Sequence, residues 1–135
     1  MKKHILLVDD DKNELDRFLD ALRKLPAEDG FKCTFAPTAA HAIAMLKFLV
    51  PDFIFIGLNA PGIAGEELIS FLMRKPELKN TKLCFYMPHI TVELQKVAAG
   101  LGAECIRKTD SIHILVNELE PLLADSKKSI YTAIL

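Results

Sequence analysis

Three consecutive carboxylates, Asp9, Asp10 and Asp11, follow an apolar run near the start of the chain. Like charges at this spacing repel one another unless a cation or the positive end of a helix compensates them, and Mg2+ prefers oxygen ligands of this kind. Asp11 is also placed to cap a helix, with Glu14 three residues later as in a capping box. The pattern predicts that Asp11 is a helix cap. For Asp9 and Asp10 it favours a metal site, and the alternative is that they only complement the helix dipole.

The acids follow the first of five short apolar segments, each succeeded by a helical pattern. The strand-like segments are residues 5–8, 31–36, 53–56, 83–87 and 105–106. Apolar residues then recur every three or four positions, at Leu15, Phe18, Leu19 and Leu22, at Ala39, Ile43, Leu46 and Leu49, at Leu68, Phe71 and Leu72, at Leu94, Val97, Ala98 and Leu101, and at Ile112, Leu115, Val116 and Leu119. This alternation predicts an α/β fold, a doubly wound parallel sheet with helices on both faces. Pro51 should end the second helix, and Pro121 should end or kink the fifth. In such a sheet the functional crevice lies at the carboxyl ends of the strands.

Composition limits the classes of protein to be considered. The chain has 135 residues, and its 17 Lys and Arg against 18 Asp and Glu give a net charge of −1. This balance of charges argues against a nucleic-acid partner. No apolar run is long enough for a signal peptide or a membrane span. We expect a cytoplasmic protein without a membrane partner, with one domain over residues 1–124 and a tail over 125–135. The three cysteines, Cys33, Cys84 and Cys105, are expected to be buried free thiols.

Three motifs at predicted strand ends resemble the receiver domain of two-component response regulators. They are residues 5–11, residues 51–56 leading to Asn59-Ala60-Pro61-Gly62 and Gly65, and Gly102-Ala103 leading to Ile106-Arg107-Lys108. The resemblance spans about residues 3 to 123. It implies a flavodoxin-like five-stranded sheet of order 2-1-3-4-5 and a stand-alone receiver. The family mechanism that it implies is transfer of a phosphoryl group from a histidine kinase to an Asp at the end of the third strand, with Mg2+ bound beside it.

The phosphoacceptor position of that family falls here on Gly57, which has no side chain. No Asp or Glu lies between Asp52 and Glu66, so no small shift of the alignment restores a carboxylate. Asp52 is five residues upstream, about 16 Å away at a strand rise of roughly 3.3 Å, and cannot replace it.

Two further positions of the family's switch are also substituted. The hydroxyl residue that ends the fourth strand falls on Met87, and the aromatic residue of the fifth strand falls on Cys105. The family's phosphoryl-contacting Lys is matched by Lys108, but the proline after it is replaced by Thr109. Three losses at separate strand ends indicate a domain that no longer uses phosphorylation.

The remaining Mg2+ ligands implied by the resemblance are Asp9, Asp10 and the main chain of Asn59. Loss of a third carboxylate removes charge from the site, so we expect weak or no Mg2+ binding and no required cofactor. Without a cation, Asp9 and Asp10 should lie near the ammonium of Lys108.

The leading hypothesis is a phosphorylation-independent receiver, not an enzyme, that binds a histidine kinase or a downstream effector. The resemblance assigns this contact to the fourth helix, fifth strand and fifth helix, roughly residues 91–119. One alternative is phosphorylation at another acid, of which Asp10 is the best placed. Another is that Gly57, Met87 and Cys105 leave an apolar hollow that binds a small molecule.

Overall fold

The computed structural model describes residues 2–26, 30–57 and 63–124. Five parallel strands form one sheet of order β2-β1-β3-β4-β5. The strands are β1 (Lys3–Val8), β2 (Phe31–Ala36), β3 (Phe53–Ile56), β4 (Lys82–Met87) and β5 (Glu104–Arg107). The helices are α1 (Lys12–Arg23), α2 (Ala39–Leu46), α3 (Ile63–Met73), α4 (Val92–Leu101) and α5 (Ile112–Leu123), with a short 3₁₀ turn at Pro76–Leu78. The α/β fold and the strand order expected from the sequence are confirmed.

Alternate side chains of the strands belong to two apolar clusters, one on each face of the sheet. Ile5 and Leu7 of β1 pack with α1 and α5, whereas Leu6 and Val8 pack with α2, α3 and α4. All four are fully buried. Burial of such a side chain contributes roughly 1.5–3 kcal/mol to the free energy of folding. The central strands are covered on both faces, as their continuous apolar runs predict.

The strand ladder extends one residue past the ends of three strands. The N–H of Gly57 donates to the carbonyl of Val8 at 2.7 Å, and the N–H of Lys108 donates to the carbonyl of Met87 at 2.8 Å. The N–H of Asp9 donates to the carbonyl of Ala36 at 3.0 Å. These bonds fix Asp9, Gly57 and Lys108 at one edge of the sheet.

Helix caps follow the sequence signals. Asp11 caps α1 by accepting from the N–H of Asn13 at 2.9 Å, and Thr38 caps α2 by accepting from the N–H of His41 at 3.1 Å. The α4 helix ends at Gly102, whose φ of 67° is in the left-handed region that glycine adopts at little cost. No helix in the described part of the chain is both long and apolar enough to cross a membrane.

Two helix ends differ from the sequence-based expectation. The α2 helix ends at Leu46, so Leu49 and Pro51 lie beyond it, because the chain turns towards β3 before the proline is reached. The α5 helix does not end at Pro121 but continues to Leu123. Proline removes one backbone hydrogen bond there, and burial of Leu119 and Leu123 holds the last turn in place.

Three apolar residues are less buried than expected. Val97 is 49% exposed, because α4 packs on the sheet mainly through Ala98. Among the thiols, which are all free, only Cys84 is buried. Cys33 and Cys105 are partly covered because β2 and β5 are the edge strands. Burial still raises the pKa of the Cys33 thiol to about 12.

Candidate functional site

An ion pair between Asp9 and Lys108 lies at the carboxyl ends of the central strands. Asp9 is fully buried, and the Lys108 ammonium lies 2.8 Å from its Oδ2. The same ammonium donates a hydrogen bond of 2.8 Å to the carbonyl of Gly57. Lys108 therefore bridges the residue after β1 and the residue after β3.

The Asp9 carboxylate is only partly compensated. Its Oδ1 accepts the N–H of Asp11 at 2.9 Å. Its Oδ2 has no hydrogen-bond partner among the described residues and is compensated by the charge of the Lys108 ammonium, 2.8 Å away. Burial raises the pKa of Asp9, while Lys108 and the N–H of Asp11 oppose that rise. The charge of Asp9 thus depends on Lys108.

The space beside Gly57 is filled by Asp9. A Cβ atom at position 57 would overlap Asp9 Oδ2 and would lie 2.9 Å from the carbonyl oxygen of Tyr86. The alternative of an apolar hollow at Gly57, Met87 and Cys105 therefore finds no support among the described residues. The latter two side chains are partly buried and pack into the apolar cluster on the side of α2, α3 and α4.

The residues present do not fit a divalent metal ion. The expected pairing with the Lys108 ammonium is found for Asp9 but is wrong for Asp10, which is exposed and has no ion pair with a described residue. Asn59, the third ligand that the sequence suggested, lies outside the described residues. Within the described ranges no three His, Cys, Asp or Glu side chains are grouped so that they could hold a metal. We therefore assign no step to Mg2+.

A second buried polar cluster was missed by the sequence reasoning. Glu14 is 5% exposed, and its Oε2 accepts the hydroxyl proton of Tyr86 at 2.6 Å. Its Oε1 accepts from Arg17 Nη1, also at 2.6 Å. The reciprocal capping box expected of Glu14 is wrong, because the N–H of Asp11 donates to Asp9 instead. The only sequence signal was a tyrosine inside an otherwise apolar strand.

The two polar clusters meet at the ring of Tyr86. The Lys108 ammonium lies 5.6 Å from the ring centroid, within the range of a cation–π contact. Burial, and then the hydrogen bond to Glu14, raises the pKa of Tyr86, so its hydroxyl stays protonated and acts as a donor.

A polar cleft of about 370 Å³ opens beside these clusters, between the N-terminal ends of α1 and α5. Its lining includes Glu14, Arg17, Lys108 and Asp110. Arg17 Nη2 lies 3.4 Å from Asp110 Oδ1 across it. The Thr109 hydroxyl, at the position where the family has proline, accepts the N–H of Ser111 at 3.1 Å. The cleft holds charged side chains in mutual pairs, and no nucleophile with an adjacent base occurs in it.

No protein-family model matches the sequence, and no curated protein matches it. Solved structures do resemble it. The chemotaxis response regulator CheY4 of Vibrio cholerae superposes with a TM-score of 0.74 at 19% identity, covering 91% of this chain and 100% of that one. The phosphorylated cyanobacterial phytochrome response regulator RcpA gives 0.75 at 21% identity, over 90% of this chain and 91% of that one.

A CheY-like response regulator receiver domain protein from Methanospirillum hungatei gives a TM-score of 0.73 at 22% identity, covering 96% of this chain and 99% of that one. All three similarities extend over nearly the whole of both chains. The chain therefore has the fold of response regulator receiver domains.

Proposed function

We propose that this chain is a receiver-fold module of two-component signalling that acts without being phosphorylated, through contact with other proteins. The fold shared with response regulators supports the signalling role. The rest is supported by position 57, on which the resemblance places the acceptor: it is a glycine, and the space beside it is filled by Asp9, which is paired with Lys108. The lysine that would contact a phosphoryl group is already neutralised inside the chain.

The substitutions at the other switch positions agree with this proposal. Met87 has no hydroxyl with which to follow a phosphoryl group. Cys105 is too small to enter and leave a pocket as an aromatic ring would. Both side chains instead contribute to an apolar cluster. We propose that none of the three positions responds to phosphorylation.

We further propose that the partner, a histidine kinase or a downstream effector, binds the face formed by α4, β5 and α5. Three large apolar side chains are exposed on its helices, Val92 at 61%, Val97 at 49% and Ile114 at 49%. The same two helices carry the exposed charged residues Glu93, Lys96 and Glu118. An apolar centre with a charged rim is typical of protein interfaces.

Phosphorylation is tested by the intact mass of the chain after incubation with acetyl phosphate and Mg2+. We expect no adduct on the native chain. The matched comparison is the Gly57→Asp variant, whose folding is checked by circular dichroism. An adduct on this variant alone would show that the native chain is not phosphorylated because position 57 has no carboxylate. An adduct on the native chain would overturn the proposal. If peptide mapping placed that adduct on Asp10, a relocated phosphoacceptor would replace it.

The interaction face is tested with a partner captured by the native chain and then purified. Charge reversal at Glu93, Lys96 and Glu118 should weaken binding of that partner. The comparison variant reverses Asp16 and Asp20, exposed residues of α1, a helix that is not part of the α4, β5 and α5 face. Equal affinity of the native chain and the first variant would contradict this face.

A further inference from the structure

A groove of about 500 Å³ lies between α2 and α3, which pack side by side. Ile43 lines it from α2. The residues that line it from the side of α3 recur at helical spacing and are Glu66, Glu67, Ser70, Phe71 and Arg74. Because residues three, four and seven positions apart lie on one face of a helix, the groove follows a single face of α3 for about two turns.

The charges of this groove are separated along its length. Glu66 and Glu67 are exposed near the start of α3, and Arg74 is exposed directly after its last residue. Glu67 and Arg74 are separated by about 10.5 Å along the helix axis at a rise of 1.5 Å per residue, too far to pair within one chain. No ion pair between described residues involves any of the three. Arg74 Nε donates instead to the carbonyl of Ser70 at 3.2 Å.

The middle of this face has a small residue and an exposed apolar neighbour. Ser70, halfway between the acids and the arginine, is exposed. Met73, three residues after Ser70 and therefore beside it on the helix surface, is 72% exposed. A small side chain at the centre allows a second helix to approach closely, and such an approach would bury the methionine.

We propose that this face of α3 pairs with the same face of a second copy of the chain, with the two α3 helices antiparallel about a two-fold axis at Ser70. Glu67 lies three residues before Ser70 and Arg74 four residues after it, on the same side of the helix. The axis therefore places Glu67 of each copy opposite Arg74 of the other. Because the symmetry repeats this contact, the assembly closes at two copies.

The order of the charges selects a second copy as the occupant. A surface with acids at one end and a base at the other is complementary to itself when it is inverted. A partner surface of one charge sign, such as an anionic lipid bilayer, would meet like charges at one end of the groove. A parallel arrangement of two copies would place Glu67 near Glu67.

Pairing through α3 does not occupy the face of α4, β5 and α5, because neither α2 nor α3 belongs to that face. A pair of chains would therefore present that face twice. The inference is independent of the signalling role proposed above, since it rests only on the groove between α2 and α3.

The test is sedimentation velocity of the full chain over a range of concentrations. The native chain should form dimers reversibly. Arg74→Glu and Glu67→Arg should each weaken dimer formation about tenfold or more, because an attraction between exposed charges becomes a repulsion at both symmetric contacts. Met73→Ser should also weaken it, at unchanged net charge.

The two charge reversals also serve as controls for each other. The double variant with Glu67→Arg and Arg74→Glu should dimerise again. A mixture of the two single variants should form a heterodimer, since both of its contacts join opposite charges. Glu93→Arg reverses an exposed glutamate of α4 and should dimerise as the native chain does. Circular dichroism checks the folding of every variant.

The proposal is overturned if the native chain stays monomeric at every concentration, or if either single reversal dimerises as the native chain does. It is also overturned if the mixture of single variants forms no heterodimer. A loss of dimers in Glu93→Arg equal to that in Glu67→Arg would place the contact on α4 and would contradict the proposal as well.

Discussion

Replacement of Gly57 by alanine tests the packing of the candidate site directly. The backbone at Gly57 does not have a positive φ, so alanine meets no backbone strain there. The new Cβ would overlap Asp9 Oδ2 and lie 2.9 Å from the carbonyl oxygen of Tyr86, which belongs to the backbone of a central strand. Asp9 can move away only by losing its hydrogen bond to Asp11 and its contact with Lys108.

The free energy of unfolding should therefore fall. Overpacking of a tight site costs about 1–3 kcal/mol, and loss of the Asp9 hydrogen bond costs about 1 kcal/mol. The lower entropy of the unfolded alanine chain returns about 0.4–1 kcal/mol. We expect a net loss of about 2 kcal/mol, measured by urea unfolding followed by far-UV circular dichroism with an unchanged m-value.

Gly100→Ala is the matched control. Gly100 lies in α4 with no atom within 4 Å of an added Cβ, so this variant should be more stable by about 0.5–1 kcal/mol. When Asp9 is replaced by alanine, Gly57→Ala should lower the free energy of unfolding much less. The remaining loss should come from the close contact with the Tyr86 carbonyl. The reasoning is refuted if Gly57→Ala is as stable as the native chain, or if the two substitutions are strictly additive.

Three further variants test polar groups that are buried or partly buried. Lys108→Met leaves the Asp9 charge buried without its partner and should cost about 3 kcal/mol or more in urea unfolding, whereas the double variant with Asp9→Asn should recover part of that loss. Tyr86→Phe removes the donor to Glu14 Oε2 and should cost about 1–3 kcal/mol, and a cost near zero would mean that this hydrogen bond has no net value. Burial lowers the pKa of His4 from 6.5, so the folded chain binds fewer protons than the unfolded chain just below that pH. Native stability should fall as the pH drops below 6.5, and His4→Gln should flatten this dependence; an identical pH profile in both proteins would contradict it.

The fold could be predicted from the sequence because the strands are covered on both faces. Continuous apolar runs such as residues 53–56 differ clearly from helical spacing, and caps such as Asp11 mark the helix starts. Helix ends were less predictable. The α5 helix continues past Pro121 because burial of Leu123 outweighs the one backbone hydrogen bond that proline removes. Local helix propensity does not indicate which side chains will be buried.

The candidate site was predictable only in part. The resemblance directed attention to position 57 and Lys108, but it could not indicate that the Asp9 side chain fills the space beside Gly57. The pairing of Glu14 with Tyr86 joins residues 72 positions apart, and Glu14 already had a local role as a capping residue. The local sequence pattern therefore predicted a capping role for Glu14. Its contact with Tyr86 depends on how α1 packs against β4, which a local pattern does not contain.

The Asp9–Lys108 pair also affects how this chain can change over evolutionary time. A single mutation that placed a carboxylate at position 57 would meet a carboxylate already in that space and a lysine already paired with it. Such a mutant would be less stable than the native chain. A side chain at position 57 would first require a change at position 9 or a shift of the β4 backbone. Packing against Asp9 and the Tyr86 carbonyl therefore disfavours any larger residue at position 57, whatever the chain does in signalling.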